Sequence, residues 1–557
     1  MHRRRGPVRA LTALALGGAL ALAAACGGGG QSGGGNKAGG GSGTKDVFVW
    51  ALSDQPKVLD SSYASDGETF RVTRQIYEGL VGTEAGGTKI VPALATQWDT
   101  KDSKTWEFTL KKGVKFHDGT DFNAKSVCDN FERWYNFTGA QQNPAVSTYW
   151  QTTMGGFKKN ESEDLGPSLY KSCEAKADDK VVITLTNPSA SFISVLALPS
   201  FAMVSMDAVK KYGDTVEMKG DAPNYTGKFS TENPVGTGAY KFVSWQRGDK
   251  LTLERFDGYH GEKAKIKTIV FRAIGDGPAR RQALESGEID GFDQVEPADV
   301  ETMKAAGFQV QERAALNVGY VGFNQKKKPL DNPKIRQAIA HALNRDGLVK
   351  AKYPPGSEVA HQWMPPAIEG YNDAVTKYDY NPEKAKQLIK ESGVTDLSLE
   401  FWYPTKVSRP YMPDPAANFQ AFKSDLEAVG FKVTTKTYPW NPDYLEKVDQ
   451  GQAGIFLLGW NADFADADNF IGTFFQQFNP RYGFRNKEIF DILAKAEAEP
   501  DPAKRVELYK EANKMISDFV PGVPYVHNKS YVGLAKDVQG FKTDPLSNEQ
   551  FSIVSRG

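Results

Sequence analysis

Hydrophobic and polar positions alternate along the body of this chain at two different periods. VFVWAL (47–52) and KTWEFTL (104–110) follow the two-residue period of half-buried strands, whereas DGETFRVTRQIYEGL (66–80) repeats at the helical period behind Asp66, a residue suited to capping a helix. KVVITLT, GAYKFVSW, DKLTLERF and AKIKTIVFRAI extend the strand set through residue 274. GPARRQALESGEIDGF predicts a short helix closed by Gly287 and then a brief strand. NVGYVGFN (317–324) leads into NPKIRQAIAHALN, a helix with Pro333 in its first turn. The last third alternates helices (381–391, 415–429, 487–498, 501–518) with strands (397–402, 431–437, 454–459). No βαβ rhythm repeats, so the pattern predicts several mixed α/β lobes between which the chain passes back and forth.

Length agrees with more than one lobe, because 557 residues exceed the ~250–300 at which a single core stops growing. Lys+Arg and Asp+Glu both total 68, which leaves no global basic field to attract nucleic acid.

The N-terminus reads as an export signal: MHRRRGPVRA is basic, and the apolar run LTALALGGALALAAA is too short to span a membrane comfortably. Cys26 follows in LAAAC, the position of a lipid-modified cysteine, although Ala23 stands where such signals usually carry Leu and Leu22 lies one residue further out. A secreted protein without lipid is the plainer alternative. GGGGQSGGGNKAGGGSG (27–43) is a coil-forming tether spanning about 20–25 Å. Loss of the signal with Arg3, Arg4, Arg5 and Arg9 makes the exported body mildly acidic. In an exported protein Cys128 and Cys173 are expected to pair, the alternative being two buried thiols.

Candidate chemistry is sparse. Six histidines form no HExxH pair, no GxSxG elbow occurs, and PVGTGAYKF lacks the GK[ST] of a phosphate loop, so its glycines are expected to shape a tight turn. GWNADFADADNF (459–470) sets three aspartates and two asparagines after the apolar run GIFLL. A calcium loop beginning at Asp466 needs Gly at its sixth position and Glu at its twelfth, where Ile471 and Gln477 stand. No metal or cofactor is expected.

Four blocks in order, PVGTGAYKFVSWQRGDKLTLERFDGYHG, ARRQALESGEIDG, PLDNPKIRQAIAHALNRD and GWNADFADADNF, resemble the family 5 solute-binding proteins of ABC importers, the peptide-binding group. The resemblance runs over roughly residues 46–557. It implies an α/β periplasmic-binding-protein (Venus-flytrap) fold: a discontinuous domain I (46–85, 232–320 and 528–557), an inserted domain II (86–231) and a domain III (321–527). It further implies a monomer, anchored by lipid to the outer face of the cell membrane, that encloses a short peptide between domains I and III and docks on the transmembrane subunits of a permease. Two chain crossings, near NVGYVGFN and VPYVHNKSYVG, would act as the hinge.

By the same resemblance Asp463 matches the carboxylate that receives a peptide's α-ammonium, and Gly459, Trp460 and Asn461 match the segment that bonds its main chain. Ser65, Asp66 and Gly67 form the opposing rim, with Ser61 replacing the usual proline of that segment. SRPYMPDP (408–415) resembles the segment of dipeptide-type members whose arginine grips the peptide carboxylate; Arg409 matches it, and Met412 departs from the pattern. Plainer readings stand beside these: a surface arginine for Arg409, a solvated turn for Asp463 and ordinary core for Trp460. Asp466 and Asp468 are expected to cap the following segment or face water. A receptor for another small solute such as an oligosaccharide, or a secreted hydrolase, are the alternative functions.

Overall fold

The computed structural model describes residues 46–557 other than Asp164 and Asp221, with backbone alone at Asn441 and Pro442. The export segment, Cys26 and the tether lie outside the described residues. Among those residues a seven-stranded sheet runs in the order Tyr240–Gln246, Lys250–Arg255, Thr268–Ala273, Val47–Leu52, Gly291–Asp293, Ser530–Leu534, Gln309–Arg313. Val47–Leu52 lies at its centre, parallel to both neighbours. Its alternation turns Phe48 and Trp50 into a core with Phe541 and Phe551, Trp50 stacking on Phe541 at 5.5 Å.

A five-stranded sheet has the order Lys432–Pro439, Ser398–Thr405, Ile455–Asn461, Asn317–Phe323, Gly522–Val526. A four-stranded antiparallel sheet, Ala95–Thr100, Thr105–Leu110, Lys180–Leu185, Tyr170–Ala177, lies between the first and second stretches of the seven-stranded sheet in sequence. There Cys128, on the helix Ala124–Tyr135, is bonded to Cys173 on the edge strand, with S–S 1.98 Å and Cα–Cα 5.2 Å.

The chain leaves the seven-stranded sheet after Arg313 and enters the five-stranded one at Asn317; it returns between Val526 and Ser530. The boundary expected at 320 therefore falls inside a strand, all of which pairs in the second sheet. The two crossings are laced together. Asn317 Nδ2 donates to Asn528 O at 2.8 Å, Asn528 N donates to Asn317 Oδ1 at 2.9 Å, and a ring nitrogen of His527 lies 2.8 Å from Asn317 O.

The helix Gly67–Ile76 is shorter than its sequence pattern, because its C-terminal carbonyls are taken by an incoming chain. Gly238 N donates to Ile76 O at 2.9 Å, and a Cβ at Gly236 or Gly238 would meet Ile76 O at 2.2 or 2.8 Å. The glycines of PVGTGAYKF thus permit a close backbone approach; neither has a positive φ. The same helix is fixed by a buried ring of charges. Arg71 donates to Asp293 and Glu549, both at 2.6 Å, and Arg313 binds the other oxygens of the same two acids. Seven-stranded sheet, helix and C-terminal segment are pinned at one point.

Candidate functional site

The strand Ile455–Asn461 carries the apolar run into the five-stranded sheet, where five successive residues are buried, and emerges at Trp460 and Asn461. Asn461 pairs with Asn317, the first residue after the chain crossing, and is exposed. Gly459 is required by contact: a Cβ there would lie 2.2 Å from Tyr411 Cδ2 and 2.5 Å from Val318 O. The ring of Tyr411 lies flat against the strand only because that Cβ is missing.

Tyr411 follows Arg409 by two residues, so this packing seats the arginine's turn against the strand that leads to Asp463. Arg409 and Met412 exchange backbone hydrogen bonds of 3.1 and 2.9 Å, closing a tight turn, and Pro410 O accepts from Asn528 Nδ2 at the chain crossing. The guanidinium of Arg409 lies over the Trp440 ring at 4.4 Å, its Nε without a partner among the described residues. Met412 is fully buried in the core of this lobe, which accounts for an apolar residue at that place.

Asp463 sits just past the strand end. Its amide donates to Asn469 Oδ1 at 2.9 Å, and the same oxygen accepts from Trp460 Nε1 at 3.2 Å, so Trp460 and Asp463 are held by one side chain. The Asp463 carboxylate accepts from the hydroxyl of Tyr149 at 2.7 Å. Burial pushes its pKa up to about 6, and the hydrogen bonds from Tyr149 and Asn469 pull the other way. No cation among the described residues contributes to its balance. A carboxylate so placed ionises only well above the usual carboxylate range, though it is largely ionised at neutral pH, and an added positive charge is what would relieve the cost of that buried charge.

Tyr149 comes from the region of the four-stranded sheet, in the helix Thr148–Met154. Its ring centroid lies 5.6 Å from that of Phe70, on the helix capped by Asp66. Burial, then Asp463, then Asp66 push its hydroxyl far above the ordinary tyrosine range, so it remains a donor. Asp463 and Asp66, expected on opposite rims, thus both act on this one side chain.

The carboxylate of Asp66 is engaged in capping: it accepts from Thr69 N at 3.0 Å and Thr69 Oγ1 at 2.8 Å, with Lys57 Nζ at 3.7 Å. Beside it Ser65 is half-buried, and a Cβ at Gly67 would meet nothing within 4 Å, so this rim offers open space.

Asp466 and Asp468 depart from the expectation that they cap or face water. Asp466 does accept from Asp468 N at 2.9 Å, but it is buried and forked by Arg505 at 2.8 and 2.7 Å. Arg505 also reaches Glu497, which accepts from Ser189 and Ser191 at 2.5 and 2.6 Å. Burial, then Glu497, then Asp466 push the Asp468 carboxyl well above the usual range. These acids tie the loop to the segment 189–194. Among the described residues no group of three or more His, Cys, Asp or Glu is arranged to hold a metal ion.

Comparison with known proteins places this geometry in context. A sequence profile for "Bacterial extracellular solute-binding proteins, family 5 Middle" matches residues 89–481. The dipeptide-binding protein of Escherichia coli (strain K12) is 33% identical over 522 residues, covering 91% of this chain and 94% of that protein. Heme-binding protein A of Haemophilus influenzae is 29% identical over 92% of this chain and 93% of its own. Among solved structures, the periplasmic binding protein DppA from Helicobacter pylori, in complex with the peptide STSA, superposes with a TM-score of 0.73 at 29% identity, covering 92% of this chain and 98% of that one.

Proposed function

The chain belongs to the bacterial extracellular solute-binding proteins of family 5, and from that premise we propose that it captures short peptides in a cleft and delivers them to an ABC-type permease. Its two-lobed α/β fold is that of this family.

The observation that carries the peptide reading is the Asp463 carboxylate, half-buried, its pKa raised to about 6 and offset by no cation among the described residues. A peptide's α-ammonium supplies the missing charge, and main-chain groups at Gly459, Trp460, Asn461, Ser65 and Gly67 bond its backbone without reading its side chains. Arg409 is the partner for the peptide carboxylate. Its guanidinium offers a planar fork that matches two carboxylate oxygens, and its stacking on Trp440 fixes the direction of that fork.

In this reading domains I and III close on the ligand about the crossings at 314–316 and 527–529, while domain II contributes Tyr149. Cys26 carries lipid and holds the body at the outer face of the membrane; the basic segment, apolar run and glycine tether support this. The protein acts as a monomer without cofactor and does not turn over its ligand. Family relatives named for binding support a receptor over the hydrolase alternative. Mass spectrometry of ligand released from protein purified without unfolding tests the solute class. Peptides of two to a few residues are expected; an oligosaccharide or other solute in their place would overturn the reading.

A further inference from the structure

The chain crossing at 527–529 carries a side chain that reaches the turn of Arg409 from outside the cleft. Asn528 is buried, and all four of its polar groups are engaged. Its amide donates to Asn317 Oδ1 at 2.9 Å and its carbonyl accepts from Asn317 Nδ2 at 2.8 Å, Asn317 being the first residue beyond the other crossing. Its Oδ1 accepts from Ser357 Oγ at 2.7 Å, and its Nδ2 donates to Pro410 O. A carbonyl cannot donate, so Pro410 fixes which way the Asn528 amide points.

Pro410 follows Arg409 inside the turn that Arg409 and Met412 close. Proline has no N–H, so its carbonyl is the one backbone group by which that residue can be held. The far half of the turn is anchored in the lobe of the five-stranded sheet: Met412 is buried in its core, and Tyr411 O accepts from Tyr353 Oη at 3.2 Å. The near half, next to Arg409, is held by Asn528. One side chain thus ties both chain crossings to the residue beside Arg409, and a bend at 527–529 that turns this side chain also moves Pro410.

We propose that Asn528 is a positioning residue for recognition of the ligand's carboxylate: it holds the turn of Arg409 in register with the chain crossing, and so sets the preference for a free C-terminus. The assignment rests on the reading of Arg409 as the carboxylate's partner, and needs no contact between Asn528 and ligand.

Calorimetry with L-alanyl-L-alanine, its C-terminal amide and its N-acetylated form tests this on the native protein, Asn528→Ala and Ser357→Ala. In the native protein the amide should bind about a hundredfold or more weaker than the free dipeptide, because a buried charge loses its partner. In Asn528→Ala this factor is expected to shrink at least about fivefold, the worth of one hydrogen bond, while the factor for N-acetylation stays within about twofold of its native value. A residue needed only for folding or closure would weaken all three ligands alike and leave both factors unchanged. Ser357→Ala frees the Asn528 amide by removing a single hydroxyl; it is expected to act in the same direction, and it decides the matter should Asn528→Ala not fold. An unchanged amidation factor in the variant that folds, or an equal shrinkage of both factors, would overturn the proposal. Equal affinity for dipeptide and amide in the native protein, or no binding of the dipeptide, would instead remove the reading of Arg409 and the proposal with it.

Discussion

The hydroxyl of Tyr149 donates to the carboxylate of Asp463 at 2.7 Å, although 314 residues separate them in sequence. This contact joins the helix Thr148–Met154 to the loop after the strand Ile455–Asn461, at the carboxylate assigned to the ligand's ammonium. A neutral donor there partly answers the charge but cannot cancel it, which leaves room for a cation.

Removing that donor raises the cost of ionising Asp463. In Tyr149→Phe the Asp463 pKa is expected to rise further above 6, by about one unit, as a charge-assisted hydrogen bond is lost. Carbon-13 NMR titration of the labelled carboxyl reads this directly. An unchanged midpoint would mean that the contact does not support the ionised form.

Affinity should depend on pH through the same group. Its pKa is raised in the folded, ligand-free protein, so an ionised Asp463 is a penalty to that state above about pH 6, and the penalty fades as pH falls through 6. Ammonium and proton compete for the carboxylate. Binding is therefore expected to be pH-independent only between about 6 and about 8, to weaken above that as the peptide's α-ammonium loses its proton, and to weaken about tenfold per unit below 6, toward the ordinary aspartate value of 3.8. Calorimetry across this range should also detect proton release on binding near pH 6, absent in Asp463→Asn.

The buried ring of Arg71, Arg313, Asp293 and Glu549 fixes the helix that begins at Asp66. Arg71→Ala leaves the two acids facing a single arginine, at a cost of about 3–5 kcal/mol by urea denaturation. Against burial, Arg313 and Arg71 hold Asp293 below the usual carboxylate range, so this contribution should be intact at neutral pH and be lost as the solution is acidified below that range.

The bond between Cys128 and Cys173 closes a loop of 45 residues. Replacing both with serine is expected to lower stability by about 4 kcal/mol in the chain-entropy model, with amide exchange rising first in the four-stranded sheet.

Periodicity made the elements legible where side chains face one core. Val47–Leu52 alternates because one face meets Phe541 and Phe551, and Lys487–Ala498 repeats at the helical period because Ile489, Leu493 and Ala496 are buried. The acidic stretch after the buried run is conspicuous in the sequence, but within it only the family resemblance singles out Asp463. Tyr149 gave no such signal: nothing in NPAVSTYW distinguishes a tyrosine that reaches another lobe from one that packs locally. Asp466 accepts from Asp468 N, as a cap would, but its burial under Arg505 gives no local signal, since that partner returns from a separate helix, Pro502–Phe519. The glycines at 236 and 238 resemble turn glycines in sequence, and only the end of a distant helix makes them contact residues. Local pattern specifies elements; pairing across lobes depends on how those elements meet.

On the proposed assignment, the Asp463 carboxylate neutralises the ligand's ammonium. Calorimetry with a dipeptide and its N-acetylated form, on the native protein and Asp463→Ala, tests it most directly. Either change alone should weaken binding by about 3–5 kcal/mol, a factor of hundreds or more, and the two together should cost little more than one. Wild-type affinity in Asp463→Ala, or full affinity for the acetylated peptide, would contradict the account.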